Sequence, residues 1–226
     1  MGSATLPELA TVPWRAPIDR DRLRRWGKLW TLWTVGWTIP FIVAGIALIL
    51  VEPMAIPVAI ASFAHAWVVP ELHAFRGASV VRQKGERHAQ AEPVAQGFLA
   101  DLLAHEPREL QRQTGLAHEH GRLGQWLIGE AGAILFLAGG HRVHCFCVST
   151  TEKDLPPSDR IAHLLLALRT DEIGFATVAN HAFSGAPSRV RRRLPKPTRA
   201  AFDATIAAAR SSASGADAHT PIPAAD

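Results

Sequence analysis

The longest interruption of the polar pattern comes early in the chain. No charged residue occurs from Leu29 to Val51, and as a helix rising about 1.5 Å per residue this stretch reaches about 34 Å, enough to cross a hydrocarbon core of roughly 30 Å. A second uncharged run over 54–69, MAIPVAIASFAHAWVV, attains spanning length if its helix continues through Leu72. Only Glu52 and Pro53 separate the two, and a proline disfavours helix in the residue before it, so the chain can reverse there. The pattern predicts a transmembrane helical hairpin over 29–72. Its apolar core is too long for a cleaved signal peptide and continues into a second span.

Beyond the hairpin the periodicity is that of a small mixed domain. Pro93 to Ala104 places Val94, Phe98 and Leu102 on one helical face, and Glu106-Pro107 restarts a helix that should end near Thr114 with Gly115 as a left-handed cap. Short strands follow at about 125–128, 133–138 and 141–148, the last two joined by Gly139-Gly140, because tight hairpin turns need positive φ. If Ala138 pairs with His141, Phe136 faces Val143 and Ile134 faces Cys145. One sheet face then carries Ile134, Phe136, Val143, Cys145 and Cys147, with both thiols in the core. The other face mixes Leu135 and Leu137 with Arg142 and His144 and needs a helix or the membrane surface to cover it.

Ser158 suits the N-cap of a helix running to about Arg169, whose Ile161, Leu164, Leu165 and Leu168 should pack on the sheet. Thr198 to Arg210 reads as helical with Phe202, Ile206 and Ala209 inward, while 175–183 is ambiguous between strand and other structure. The fold class expected is a membrane protein in which a two-helix transmembrane hairpin precedes a small α+β cytoplasmic domain with an antiparallel β-meander and packed helices. Its segments are a basic cytoplasmic N-terminus over 1–28, the hairpin over 29–72, a basic linker over 73–91, the α+β domain over 92–210 and an Ala/Ser/Pro-rich disordered tail over 211–226.

Charge sets the orientation of this frame. The chain has 24 basic and 20 acidic residues, a net charge of +4, and the basic residues flank the apolar block. Arg15, Arg20, Arg22, Arg24, Arg25 and Lys28 precede it, Arg76, Arg82, Lys84 and Arg87 follow it, and the turn has none. By the positive-inside rule both termini are cytoplasmic. Two cysteines one residue apart are no disulfide framework and fit a reducing compartment. With arginine far in excess of lysine, the expectation is a two-pass protein of a bacterial inner membrane.

Inside the hairpin, Trp26, Trp30, Trp33 and Trp37 recur at helical spacing, the pattern of an aromatic belt. Trp37 lies deeper than a belt requires, which suits a helix-packing or lipophilic-ligand face. Thr31, Thr34 and Thr38 form a neighbouring polar stripe, and Ala55, Ala59, Ser62 and Ala66 a small-residue face for close helix approach. His65 is ionisable well inside a span and is therefore a candidate functional residue; its structural alternative is a bond to a threonine across the hairpin.

The chemistry-bearing residues of the domain form no known site. His118, Glu119, His120, His141, His144, Cys145 and Cys147 are of the types that hold zinc, but their spacing matches no standard site and His144 and Cys145 point to opposite sheet faces. No metal ligand, cofactor or catalytic residue is assigned, and nucleophile-elbow, phosphate-loop, dinucleotide and zinc-protease motifs do not occur. Asp159 reads as compensation of a helix dipole and Asp171-Glu172 as a solvent-exposed pair.

Arg189, Arg191, Arg192, Arg193, Lys196 and Arg199 form a basic run without an intervening acid. It reads as a solvated surface strand or as a contact with anionic lipid, which its few aromatics and the tether favour over nucleic acid. The expected function is a membrane-anchored cytoplasmic binding or scaffold module, a subunit of a membrane assembly with a membrane protein or a second copy as partner. The alternative is a membrane-associated enzyme on a lipophilic or surface substrate, marked by a pocket gathering several of His118, Glu119, His120, His141 and His144.

Overall fold

The computed structural model describes residues 15–82, 90–139, 141–148 and 155–217. Two long apolar helices come first. Helix α1 spans Arg20–Val51, starting before Leu29 because the Asp19 carboxylate accepts the Arg22 N–H at 2.6 Å and caps the first turn. At its other end the Glu52 N–H reaches the Leu48 carbonyl at 3.0 Å, and the Glu52 side chain accepts from the Met54 N–H. A 3-10 turn, Pro53–Ala55, then leads into α2, Ile56–Ser79, which runs past Leu72 into the stretch expected to be linker.

The seam between α1 and α2 uses small residues, as the pattern required. Ala59 is fully buried, the Ser62 hydroxyl donates to the Phe41 carbonyl at 2.7 Å, and Gly45 lies against the Phe63 ring, where a Cβ would stand only 2.7 Å away. The hydroxyls of Thr31, Thr34 and Thr38 turn back onto their own helix, to the carbonyls of Gly27, Trp30 and Val35.

Helices α3 (Glu92–Leu102) and α4 (His105–Thr114) follow, the latter closed by Gly115 at φ 69°. A five-stranded antiparallel sheet comes next in the order β1 (Ala117–His120), β2 (Gly124–Gly129), β3 (Gly132–Leu137), β4 (Val143–Cys147) and β5 (Asn180–Gly185). Helices α5 (Pro157–Thr170) and α6 (Glu172–Val178) lie between β4 and β5, and α7 (Pro187–Arg193) and α8 (Lys196–Asp217) end the described chain. The expected register holds, with Phe136 opposite Val143 and Ile134 opposite Cys145. Gly139 sits at φ 93°, and Gly140 lies outside the described residues.

Strand alternation gives the sheet two apolar faces. On one, Leu127, Ile134, Phe136, Val143, Cys145 and Phe183 pack against the end of α2 through Ala74 and Ala78 and against α7 and α8 through Val190, Ala201 and Phe202. On the other, Trp126, Ile128, Leu135 and Phe146 pack against α5, α3 and α6, and also against Ile18, Leu23 and Trp26 at the start of α1. Helices, not a membrane surface, cover the second face. The hairpin's two ends therefore belong to both halves of the core.

Several local expectations are overturned. Helix α3 buries Ala95 and Leu99 and leaves Val94 and Phe98 exposed. In this rotation Glu92, on the same face, accepts from the Ser158 hydroxyl at 2.6 Å. Ser158 lies inside α5, where Pro156 is the N-cap and Pro157 opens the helix. The pair Asp171-Glu172 is not a free surface pair: Asp171 caps α6 through the Gly174 N–H at 2.8 Å, and Glu172 is buried. The basic run is helix and turn instead of strand. Residues 211–217 continue α8, and 218–226 lie outside the described residues, as do 83–89.

Cys145 is fully buried, and burial pushes its thiol pKa up. Cys147 is half-buried instead of in the core. In the folded protein a water-soluble maleimide should modify Cys147 readily and Cys145 only on unfolding, read by mass spectrometry of the labelled peptides. Fast native labelling of Cys145 would reverse the register of β4.

Candidate functional site at the junction of hairpin and sheet

Edge strand β5 lies between the two helix ends, and here the structure collects aromatic and imidazole rings from four elements. Trp26 and Trp30 come from α1, one turn apart on one face. His73 comes from α2, His144 from β4, and His181 and Phe183 from β5. Trp26 stacks on His181 with ring centroids 5.0 Å apart and planes at 30°. Trp30 meets His73 edge-on at 5.5 Å and leans on Phe183. On the far side of β5, Gly77 of α2 faces Phe183, and an added Cβ would stand 2.9 Å from that side chain. Only glycine lets α2 come so close.

Hydrogen bonds run through these rings in one direction. The Trp30 indole Nε1–H can only donate, and its partner is His181 Nδ1 at 3.1 Å. A neutral His181 must then carry its proton on Nε2, which donates to His144 Nδ1 at 3.3 Å. That assignment leaves the proton of His144 on Nε2, which is buried without a partner among the described residues. Burial lowers both imidazoles, His144 to about 3 with the neighbouring His181 and Arg142 adding to the effect, and His181 to about 4. Both are neutral at physiological pH, and among the described residues no carboxylate bonds to either ring. The chain of rings positions α1 on the sheet without charge.

Further polar contacts fasten the same joint. Arg142 donates to the Gly27 carbonyl and, at 3.0 Å, to the Thr31 hydroxyl, its side chain lying over Gly27. Ahead of α1, Arg15 donates to the Val178 carbonyl at 3.1 Å, and the Ile18 N–H donates to the Thr177 hydroxyl at 3.0 Å.

The histidines read together from sequence are dispersed. His118 and His120 lie on β1, the sheet edge opposite β5, and Gln125 bridges them at 3.0 and 2.6 Å. Glu119 faces the other way and pairs with Arg169 at 2.7 Å. His141 is exposed, and only His144 reaches the junction. A polar cleft of about 300 Å³ contains Glu119, His120, Arg169 and Glu172. There the Glu172 carboxylate is already taken by the N–H groups of Arg122 (2.6 Å) and Leu123 (3.0 Å) and by Trp126 Nε1 (2.6 Å). Among the described residues no three His, Cys, Asp or Glu side chains are placed to hold a metal ion. His65 bonds to the Ala61 carbonyl of its own helix at 2.8 Å, not to a threonine, and stacks on Phe41 at 5.5 Å.

The basic run meets countercharges that the sequence keeps far away. Arg193 donates to Glu71 of α2 through Nε at 3.0 Å, with Arg192 at 4.0 Å from the same carboxylate. Arg191 holds Asp203 in a two-point pair, both contacts 2.7 Å, which keeps that carboxyl below the usual range. Arg199 donates to the Leu194 and Arg192 carbonyls. Lys196 stays exposed, and Arg189 is half-buried.

Sequence reasoning missed His181, which falls in the ambiguous segment, and read Trp26 and Trp30 as part of a belt. The spacing of the tryptophans was the available signal; it marks a face without naming its partner. Comparison with protein-family models, with curated proteins and with solved structures gives no match to this chain.

Because His144 and His181 are neutral when folded and ordinary when unfolded, stability is full above about pH 6.5 and falls as pH drops toward their folded values near 4 and 3. Chemical denaturation in detergent should show a loss of about 2 to 4 kcal/mol between pH 7 and pH 5. Replacing both by phenylalanine should flatten that slope; an unchanged slope would place the titration elsewhere. Trp30→Phe, which removes only the N–H donor and some ring area, should cost about 1 kcal/mol at pH 7.

Proposed function

We propose that this chain is a membrane-anchored cytoplasmic binding or scaffold module, built to hold its α+β domain in one orientation at the membrane surface as part of a membrane assembly. One observation carries the reading. The apolar windows of α1 and α2 are only 6% and 11% buried, although α1 begins and α2 ends inside the domain core. Leu32, Trp33, Ile39, Val43 and Leu50 on α1, Met54 in the turn, and Val58, Ile60, Trp67 and Leu72 on α2 are all exposed. A continuous apolar surface of this extent in water would promote aggregation, whereas a bilayer covers it without cost. The band of exposed apolar residues begins near Leu29 on α1 and ends near Phe75 on α2, next in sequence to Lys28 and Arg76. The basic flanks support both termini facing the cytoplasm of a bacterial cell.

The same geometry supports a contact between α7–α8 and anionic headgroups. Glu71, the anchor of Arg192 and Arg193, is next to exposed Leu72 at the edge of the band. Arg189 and Lys196, together with Arg192, which is 66% exposed and only loosely paired at 4.0 Å, are left with charge to offer such a surface, while Arg191, Arg193 and Arg199 hold the segment in place. Each basic residue close to such a surface contributes about 1 kcal/mol, screened within a Debye length of about 10 Å at 0.1 M salt.

Membranes carrying the chain should retain it through alkaline carbonate, and reporters fused at Met1 and Asp226 should be active only on the cytoplasmic side. Release by carbonate, or a reporter active outside, would overturn the anchor. The lipid contact needs the full chain, because a domain cut away from α1 and α2 loses part of both core faces. In nanodiscs, Arg192→Gln with Lys196→Gln should erase the salt-sensitive protection of α7 from hydrogen exchange seen with anionic lipid. Equal protection in neutral lipid would end the anionic-lipid reading.

A further inference from the structure

A groove of about 780 Å³ runs along α1, lined by Leu29, Leu32, Trp33, Gly36, Trp37 and Pro40 among others. It faces away from α2. At 3.6 residues per turn, the less exposed Thr34, Thr38, Phe41, Gly45 and Leu48 form the side toward α2, and Gly36 and Pro40 fall on the opposite side. A Cβ at Gly36 would meet nothing within 4 Å, so the backbone is bare there between Trp33 and Trp37, whose rings touch at 5.7 Å.

Pro40 lies inside α1 and has no N–H to give to the carbonyl of Gly36, four residues earlier. In hydrocarbon an unanswered carbonyl is costly and is usually met by a neighbouring helix or by a local hydroxyl. The local hydroxyls are committed elsewhere, since Thr31, Thr34 and Thr38 bond to Gly27, Trp30 and Val35. Helix α2 is on the wrong side. The groove thus combines a free acceptor, a missing side chain that permits close backbone approach, and two indole N–H donors that make no hydrogen bond to the described residues.

Acceptor and donors on one face make that face complementary to itself. We infer that the Gly36 face of α1 is a homodimer seam within the bilayer: two copies cross at Gly36 about a two-fold axis, and Trp33 or Trp37 of each copy donates to the Gly36 carbonyl of the other. A symmetric contact satisfies both freed carbonyls at once. A bound hydroxyl-bearing lipid would answer the carbonyl but leave the indole donors and the self-matching shape without a role.

The inference rests on the anchor reading, so each is given its own readout. Carbonate extraction reports the anchor, and light scattering with resonance energy transfer on the full chain in detergent reports association. The wild type should dimerise. Gly36→Leu should raise the dissociation constant more than tenfold. Pro40→Ala, which restores the intrahelical N–H and leaves the helix at least as stable, should weaken the dimer about fivefold by removing the demand for a donor. Ile60→Ala, on the exposed side of α2, should change nothing. A carbonate-resistant wild type that stays monomeric, or a dimer indifferent to Gly36→Leu or Pro40→Ala, would overturn the seam and leave the anchor standing; carbonate release would instead overturn the anchor.

Discussion

Strand β5 is held at the sheet edge between the first turns of α1 and the last turns of α2, which lie on opposite faces of the same sheet. Trp26 and Trp30 close one side on His181, and Gly77 lets α2 close the other on Phe183. An edge strand with unpaired backbone groups is a liability for any sheet, and here two helix ends flank it. The apolar helices are consequently not a tether joined to a separate domain. Leu23 and Ala74 are fully buried core residues at one end of helices whose other ends are bare, so the packing of the hairpin and the folding of the sheet share side chains.

That arrangement explains why the joint is made of neutral rings. A charged imidazole between Trp26, Trp30 and Phe146 would have to be desolvated without a carboxylate to pair it. The fixed charges sit around the rim instead: Arg142 on the Gly27 carbonyl, Arg15 on the end of α6, Arg193 on Glu71. Arginine suits these positions because its fork reaches a carbonyl and a neighbouring acceptor together. The basic run from Arg189 to Arg199 is therefore in large part a fastening of α7 to α2 and α8.

Much of this was legible where the signal is local. A long uncharged run, a turn signal between two strands and a helix-capping glycine each depend on neighbours in sequence, and the register of β3 and β4 follows once the turn is placed. Edge strands β1 and β5 escaped because Ala-His-Glu-His and Asn-His-Ala-Phe-Ser-Gly need few apolar residues when only one neighbour pairs with them. The face of α3 was misread because Val94 and Phe98 keep helical spacing as faithfully as Ala95 and Leu99, and the contact that accompanies the observed face, Ser158 with Glu92, is 66 residues away. The countercharge of Arg193 is 122 residues away. The four tryptophans show the limit most clearly: their spacing marks one stripe, yet Trp26 and Trp30 pack on the sheet, while Trp33 and Trp37 are exposed, their rings against each other.

Everything above requires that hairpin and domain move as one body. The direct measurement is an electron-spin distance between a label at exposed Met54, at the hairpin tip, and one at exposed His163 on α5, with the full chain in nanodiscs. A single narrow distance distribution, broadened when His181 and Trp30 are both replaced by alanine, is what a shared core produces. A broad distribution in the unaltered chain would mean that the helices swing free of the sheet, and the account of β5 as their common grip would be wrong.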